Sequence, residues 1–121
     1  MHEPTITSAR VDWGRMPVRL LFSYGAVDAF DFQIVRLRAG DAEGLGEVIV
    51  PHHPFLDEVL AGLIGADPRG LDALLPVRAD AVERIVCEAV SIALYDLVGH
   101  LAGLPLYVLL GGTIRTRVPL M

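Results

Sequence analysis

The chain has 121 residues, of which 53% are hydrophobic, and its formal net charge at pH 7 is −5. A single domain of this length buries roughly two thirds of its unfolded surface, and so large a hydrophobic fraction indicates an apolar face that another surface covers. All ten basic residues are arginines that occur singly, which argues against nucleic-acid binding, and the absence of lysine excludes Schiff-base chemistry and a P-loop phosphate site.

No part of the sequence predicts a membrane or secreted protein. No stretch approaches the ~20 unbroken apolar residues of a membrane span, and the N-terminus lacks the basic head and apolar core of a signal peptide. We therefore expect a cytoplasmic protein without a membrane partner. The single cysteine, Cys87, cannot form an internal disulfide and is predicted to be a small buried apolar residue rather than a nucleophile.

The first half of the chain predicts three β-strands. Residues 5–13 are β-branched and alternating, and residues 29–38 and 43–50 form two further apolar strands. Residues 39–42 contain a Gly-Asp pair, which tolerates the positive φ of a tight hairpin turn. Because each connection is local, an antiparallel meander is the expected topology.

Residues 14–28 separate the first two predicted strands and predict a long loop. The segment carries Gly14, Pro17 and Gly25, with bulky apolar residues between them. Loops of this length in compact domains commonly have a function. We therefore expect these apolar side chains to lie over another surface.

The second half of the chain predicts helices. Pro54 suits the first turn of a helix whose apolar residues continue to Leu63, and a short apolar piece follows at residues 71–75. With the three strands and a later long helix, these pieces predict an α+β domain, namely a three-stranded antiparallel meander followed by a helical bundle.

The long helix is the predicted centre of the fold. Asp80 and Glu83 form a capping box, and apolar residues then recur at three- and four-residue steps over about six turns. Gly103 supplies a left-handed stop, and Pro105 can begin a short final helix. A helix that is apolar over most of its circumference is buried on more than one side.

Two stretches of the sequence resemble a known family. They are EGLGEV at residues 43–48 and AVSIALYDLVGHLAGLPLYVLLGG at residues 89–112, the second followed by TIRTRVPLM. In this order they resemble the N-terminal domain of the mandelate racemase and muconate lactonizing enzymes of the enolase superfamily. Tyr95 stands where the family often has tryptophan, and Leu21 where a proline is common. The resemblance implies an enolase N-terminal domain-like fold for residues 1–113 and the start of a connection to a barrel domain in residues 114–121.

The resemblance also implies a capping role on a (β/α)8 barrel that is absent from this chain. In the family, a lysine or histidine of the barrel removes the proton next to a substrate carboxylate, and Mg2+ held by acidic residues stabilises the product of that step. The implied enzyme is an isomerase or lyase, such as a racemase, cycloisomerase or acid dehydratase. No catalytic residue, metal ligand or cofactor is expected in this chain, and Mg2+ is implied only for a full-length relative. The implied partners are a barrel, in the same or another chain, a small carboxylate substrate and a second copy of the chain in a homo-oligomer.

By position, the resemblance places two substrate-specificity loops in this chain, at residues 14–25 and 47–54. The candidate site residues in them are Arg19, Leu20, Phe22, Tyr24, Glu47, His52 and His53. Arg19 could bind a carboxylate through its forked donors, although a plain surface role competes with this. The apolar residues could be lid or core, and Glu47 could be a solvated structural residue.

The residues themselves leave two other functions open. The chain could be a stand-alone binding or assembly module that docks on a separate barrel chain, or on itself, through its apolar face. It could also be a small metal-dependent enzyme built on His52, His53, Asp57 and Glu58, although adjacent residues of an extended segment point to opposite sides.

Two polar residues on the long helix are predicted to have structural roles. Asp96 is expected to accept a hydrogen bond from a neighbouring amide or arginine. His100, near the C-terminal end of the helix, interacts favourably with the helix dipole when it is charged.

Overall fold

The computed structural model of the protein describes residues 3–77 and 80–121. Its elements, in chain order, are β1 (Ile6–Phe22), β2 (Gly25–Ala39), β3 (Ala42–Val48), α1 (Pro54–Leu63), a 3₁₀ helix (Pro68–Leu74), α2 (Ala81–Ala102) and α3 (Leu106–Leu109). The three strands form one antiparallel sheet in the order β1-β2-β3. The predicted α+β class, with a meander followed by helices, is confirmed.

The core lies between one face of the sheet and the helices. Alternate residues of β2 are buried, from Gln33 to Ala39, because they face α2 and α1. On α2 the buried face includes Val86, Ala93 and Leu97. The other face of the sheet, which carries residues 34, 36 and 38 of β2, is only partly covered or exposed.

Two glycines of β3 allow α2 to lie directly on the strand backbone. A Cβ atom at Gly44 would be 2.2 Å from the carbonyl oxygen of Ala93, and one at Gly46 would be 1.9 Å from that of Ala89. Any side chain at either position would therefore push the helix away. This close approach gives a physical reason for the Gly-x-Gly pattern in the sequence.

Side chains of α2 also satisfy the outer edge of β3. Asp96 accepts a hydrogen bond from the amide of Leu45, with a distance of 2.9 Å between Oδ2 and N, as predicted. One turn later, Nδ1 of His100 lies 2.7 Å from the carbonyl oxygen of Glu43, so this nitrogen carries the proton and donates. The helix thus pairs backbone groups that an edge strand would otherwise leave free.

The ends of α2 agree with the sequence prediction. The Asp80 side chain accepts a hydrogen bond from the amide of Glu83 at 2.9 Å, and Gly103 is left-handed with φ of 67°. By length and composition α2 is apolar enough to cross a membrane, which the sequence reading did not anticipate. Its buried face packs on β2 and β3, so α2 is the core helix of this domain.

The long loop predicted for residues 14–28 is wrong. β1 and β2 remain paired through this segment and turn only at Ser23 and Tyr24, where Gly25 has φ of 138°. Pro17 is tolerated because β1 is an edge strand, whose outward amide positions need no partner. The extra residue of the segment is absorbed by a bulge between Pro17 and Leu20.

Candidate functional site

The β1–β2 hairpin extends far beyond β3, and we call residues 14–32 of this extension the arm. The last residue of β3, Val48, pairs with Gln33, whereas β2 begins at Gly25. At about 3.3 Å per residue the arm therefore projects roughly 25 Å past the end of β3. The first predicted specificity loop is this two-stranded arm.

The arm carries exposed apolar side chains on both of its faces. Leu21 is 85% exposed and Tyr24 is 79% exposed. The rings of Phe22 and Tyr24 stack at the tip, with centroids 5.1 Å apart. Leu20 is also exposed, so the apolar candidates of this segment lie outside the core of the chain.

The two arginines of the arm differ in their surroundings. Arg15 forms an ion pair with Asp31, with 3.0 Å between Nε and Oδ1, and the hydrogen bond raises the pKa of Arg15 above its usual range. Arg19 lies in the bulge and is exposed. Within residues 3–77 and 80–121 no hydrogen bond or ion pair holds the Arg19 guanidinium. Its forked donors are therefore available to a ligand or partner.

The segment after β3 returns to the base of the arm, and we call residues 49–53 the histidine segment. The His52 ring stacks on Trp13, with centroids 4.0 Å apart and an angle of 18° between the rings. Nε2 of His52 lies 2.9 Å from Oδ2 of Asp57 on α1. These two contacts fix the imidazole and leave its Nδ1 atom without a bond in the part of the chain that the structure describes.

Gln33 anchors the histidine segment from below. It is fully buried, its Nε2 donates to the carbonyl oxygen of Pro51 at 3.0 Å, and its Oε1 accepts from the amide of His53 at 3.4 Å. The sequence reading missed this residue. The available signal was a polar side chain in phase with Val35 and Leu37, two apolar core-facing residues of the same strand.

Comparison with known proteins shows which solved structures share this architecture. No protein-family profile matches the chain. A D-galactonate dehydratase family member from Marinomonas sp. (strain MWYL1) is 38% identical over 69 residues, which cover 51% of this chain and 17% of that protein. An enolase from Bradyrhizobium, solved with magnesium and mandelic acid, matches with a TM-score of 0.75 and 18% identity. The match covers 95% of this chain and 37% of the Bradyrhizobium chain.

A muconate lactonizing enzyme from Pseudomonas fluorescens, solved with muconolactone, gives the same result. Its TM-score is 0.74 at 24% identity, and the match covers 94% of this chain and 36% of that one. The chain has the enolase-superfamily fold. The predicted resemblance to the mandelate racemase and muconate lactonizing group is confirmed, and the chain spans about a third of the length of the solved proteins.

His53 and Glu47 do not lie with His52 at the base of the arm. His53 caps α1, because its Nδ1 accepts a hydrogen bond from the amide of Phe55 at 3.1 Å. Glu47 pairs with Ile34 on the sheet face that points away from α2, and it is exposed. Of the three candidates in the second loop, only His52 lies at the base of the arm.

The described residues offer no cluster of side chains that fits a metal ion. Within residues 3–77 and 80–121, no three histidine, cysteine, aspartate or glutamate side chains are placed to hold one. His52 and His53 already bond to Asp57 and to the first turn of α1, respectively. The metal-enzyme hypothesis therefore has no geometric support in the described residues.

Away from the arm, Arg69 forms an exposed ion-pair network. It bonds to Asp67 through its backbone amide at 2.9 Å and through its guanidinium, and it also contacts Glu3. The hydrogen bonds from Arg69 lower the pKa of Asp67 to about 2, and the side-chain bonds contribute more than the backbone bond. The network ties the start of the chain to the 3₁₀ helix.

Proposed function

We propose that this chain is the capping, substrate-selecting domain of a Mg2+-dependent enzyme of the mandelate racemase and muconate lactonizing type. The reaction would be removal of the proton next to a carboxylate, leading to racemisation, cycloisomerisation or dehydration. One observation carries the proposal: the apolar arm and the histidine segment leave the same end of the sheet and meet where Trp13 stacks on His52. In this arrangement residues 1–113 form the cap and residues 114–121 lead toward the barrel.

The geometry suggests a role for each group on the candidate surface. Arg19 offers two parallel donors to a substrate carboxylate. The stacked rings of Phe22 and Tyr24 cover a bound substrate and exclude water from it. With Nε2 of His52 held by Asp57, its Nδ1 atom is left to bond a polar substituent of the substrate.

The remaining parts of the enzyme lie outside this set of residues. A barrel, in the same chain or in a second one, would supply the base and the acidic ligands of Mg2+. The presence of magnesium in the Bradyrhizobium structure supports this assignment for a full-length protein. A cytoplasmic location and a homo-oligomeric assembly belong to the same proposal.

The first test is to read the coding DNA that follows the Met121 codon and to express the product with its continuation. A barrel of ~250 residues with lysine and carboxylates at successive strand ends is the expected result. That product, with Mg2+, should exchange the α-proton of a carboxylate for deuterium in D2O, and Arg19→Gln should raise KM more than it lowers kcat. Exchange catalysed by residues 1–121 alone would contradict a purely capping role.

A stand-alone assembly module is the second candidate function, and exposed apolar residues beyond α3 favour it. Ile114 is 93% exposed and Leu120 is 96% exposed. If this candidate is right, the purified chain self-associates, and sedimentation measures a dimer or larger species at micromolar concentration. A monomer that does not bind an apolar dye would rule the module out.

A further inference from the structure

The sheet face turned away from α2 brings Arg10 next to Arg36 and Arg38, which are far from it in sequence. In the β1–β2 register, Arg10 lies directly opposite Arg36, and Ser8 lies directly opposite Arg38. Directly opposed residues have Cβ atoms about 5 Å apart. The three guanidinium groups therefore share one small area of a chain whose net charge is −5.

Ion pairs in the described part of the chain hold only one of these arginines. Arg36 bonds to Asp12, with 3.2 Å between Nε and Oδ2, and to Glu43, with 3.4 Å between Nη1 and Oε1. Arg10 and Arg38 are exposed, and neither forms an ion pair within residues 3–77 and 80–121, although Glu43 lies directly opposite Arg38 in the β2–β3 register. The three arginines face two carboxylates, so an anion bound here would balance the positive charge that remains.

The arginines line a groove rather than a flat surface. Its volume is about 310 Å3, and Thr7, Ser8, Gly40 and Glu43 complete its lining. The Thr7 hydroxyl donates to the carbonyl oxygen of Arg38 at 3.4 Å, whereas no hydrogen bond within the described residues uses the Ser8 hydroxyl. The carboxylate of the adjacent turn, Asp41, lines a different groove beside His100. The volume suits a small ligand.

We propose that this groove is a binding site for a multivalent oxyanion, such as a phosphate ester or a polycarboxylate. Arginine guanidinium groups bind such ions through paired donors, and the Ser8 hydroxyl adds a neutral donor. At about 3.3 Å per residue, Arg10 is roughly 30 Å along β1 from the Leu20 region of the arm. Trp13, which stacks on His52, is nearer, but it pairs with the buried Gln33 and so lies on the opposite face of the sheet from Arg10. The site is therefore separate from the proposed substrate surface, and its test does not depend on the proposed function.

The test titrates the full chain with pyrophosphate, citrate or acetate at constant ionic strength and follows the backbone amides by 1H–15N NMR. Pyrophosphate or citrate is expected to shift the amides of Thr7, Ser8, Arg38 and Gly40 along saturable curves. Acetate, which carries one charge, should bind at least ~10-fold more weakly. Pyrophosphate binding without citrate binding assigns the site to phosphate esters, and the reverse result assigns it to polycarboxylates.

Variants decide whether the groove itself binds. The double variant Arg10→Gln/Arg38→Gln should weaken pyrophosphate or citrate binding at least ~10-fold, whereas Arg84→Gln on α2 should leave it unchanged. Ser8→Phe fills the groove without altering charge and should also abolish binding, which covers the case of a double variant that folds poorly. The proposal is wrong if neither multivalent anion saturates, if acetate binds equally well, or if the groove variants bind like the wild type.

Discussion

Trp13 and His52 stack face to face, with ring centroids 4.0 Å apart, although they lie on β1 and in the segment after β3. Asp57 of α1 bonds to the same imidazole. The contact therefore joins the base of the arm, the histidine segment and the first helix. Since Trp13 is the single tryptophan of the chain, its fluorescence reports on this junction alone.

Replacement of His52 should loosen this junction without unfolding the domain. His52→Ala removes the ring stacking and the bond to Asp57, and we expect a loss of about 1 kcal/mol in the free energy of unfolding. The Trp13 emission should shift to longer wavelength because water reaches the freed indole face. Glu58→Gln, an exposed change on α1 next to Asp57, is the matched control. Unchanged emission in His52→Ala would show that the rings do not stack in solution.

Gln33 should be required for the position of the histidine segment. Gln33→Met fills the same space but leaves the carbonyl of Pro51 and the amide of His53 without their partner, at a cost of about 1–3 kcal/mol. Hydrogen exchange at the His53 amide should become faster, while amides in the centre of α2 keep their protection. Ile34→Met, on the opposite face of β2, should leave the His53 exchange rate unchanged. Equal protection of His53 in both variants would contradict an anchoring role.

The features that sequence predicted best are the ones that local chemistry specifies. The ends of α2 follow from the cap at Asp80 and the left-handed stop at Gly103, and both signals lie within one turn of the helix end. The turn at residues 40 and 41 and the first turn of α1 at Pro54 are local in the same way. Such signals do not depend on which parts of the chain meet in space.

The features that sequence reading missed depend on register. Glycine and proline in residues 14–28 indicated a loop, because a single sequence does not show that β1 is an edge strand on which Pro17 costs little. The grouping of Arg10, Arg36 and Arg38 likewise requires the pairing of β1 with β2. Along the chain, Arg10 lies far from Arg36 and Arg38. Gln33 looked like an ordinary strand residue until its partners after β3 were in place.

Acid should destabilise the protein partly through Asp67. Its pKa in the folded state is about 2, below the ordinary value of 3.8. Between these values the unfolded chain binds more protons than the folded one, so this contribution to stability falls as the pH drops from about 4 to about 2. Arg69→Gln removes the side-chain hydrogen bonds but keeps the backbone amide bond, so the decline over this range should become shallower. Urea unfolding at several pH values measures this decline in the free energy of unfolding. The control variant Arg84→Gln should retain the wild-type dependence of that free energy on pH.

The glycines of β3 test whether α2 rests on the strand backbone. Gly46→Ala places a Cβ atom 1.9 Å from the Ala89 carbonyl oxygen, so the helix must shift, and overpacking of this kind costs about 1–3 kcal/mol or more. Gly62→Ala makes the same chemical change on α1, where no atom outside the surrounding helix backbone lies within 4 Å of the added Cβ. It should stabilise the protein by about 0.5–1 kcal/mol, because alanine favours the helix.

The two substitutions therefore differ in the sign of their effect on the free energy of urea unfolding. Gly44→Ala should resemble Gly46→Ala, since its Cβ atom would lie 2.2 Å from the Ala93 carbonyl oxygen. The shift of α2 should also lengthen the bond between Asp96 and the Leu45 amide, and faster hydrogen exchange at that amide would report it. Wild-type stability in both β3 variants would mean that the helix stands away from the strand, and the edge contacts of Asp96 and His100 could not then form.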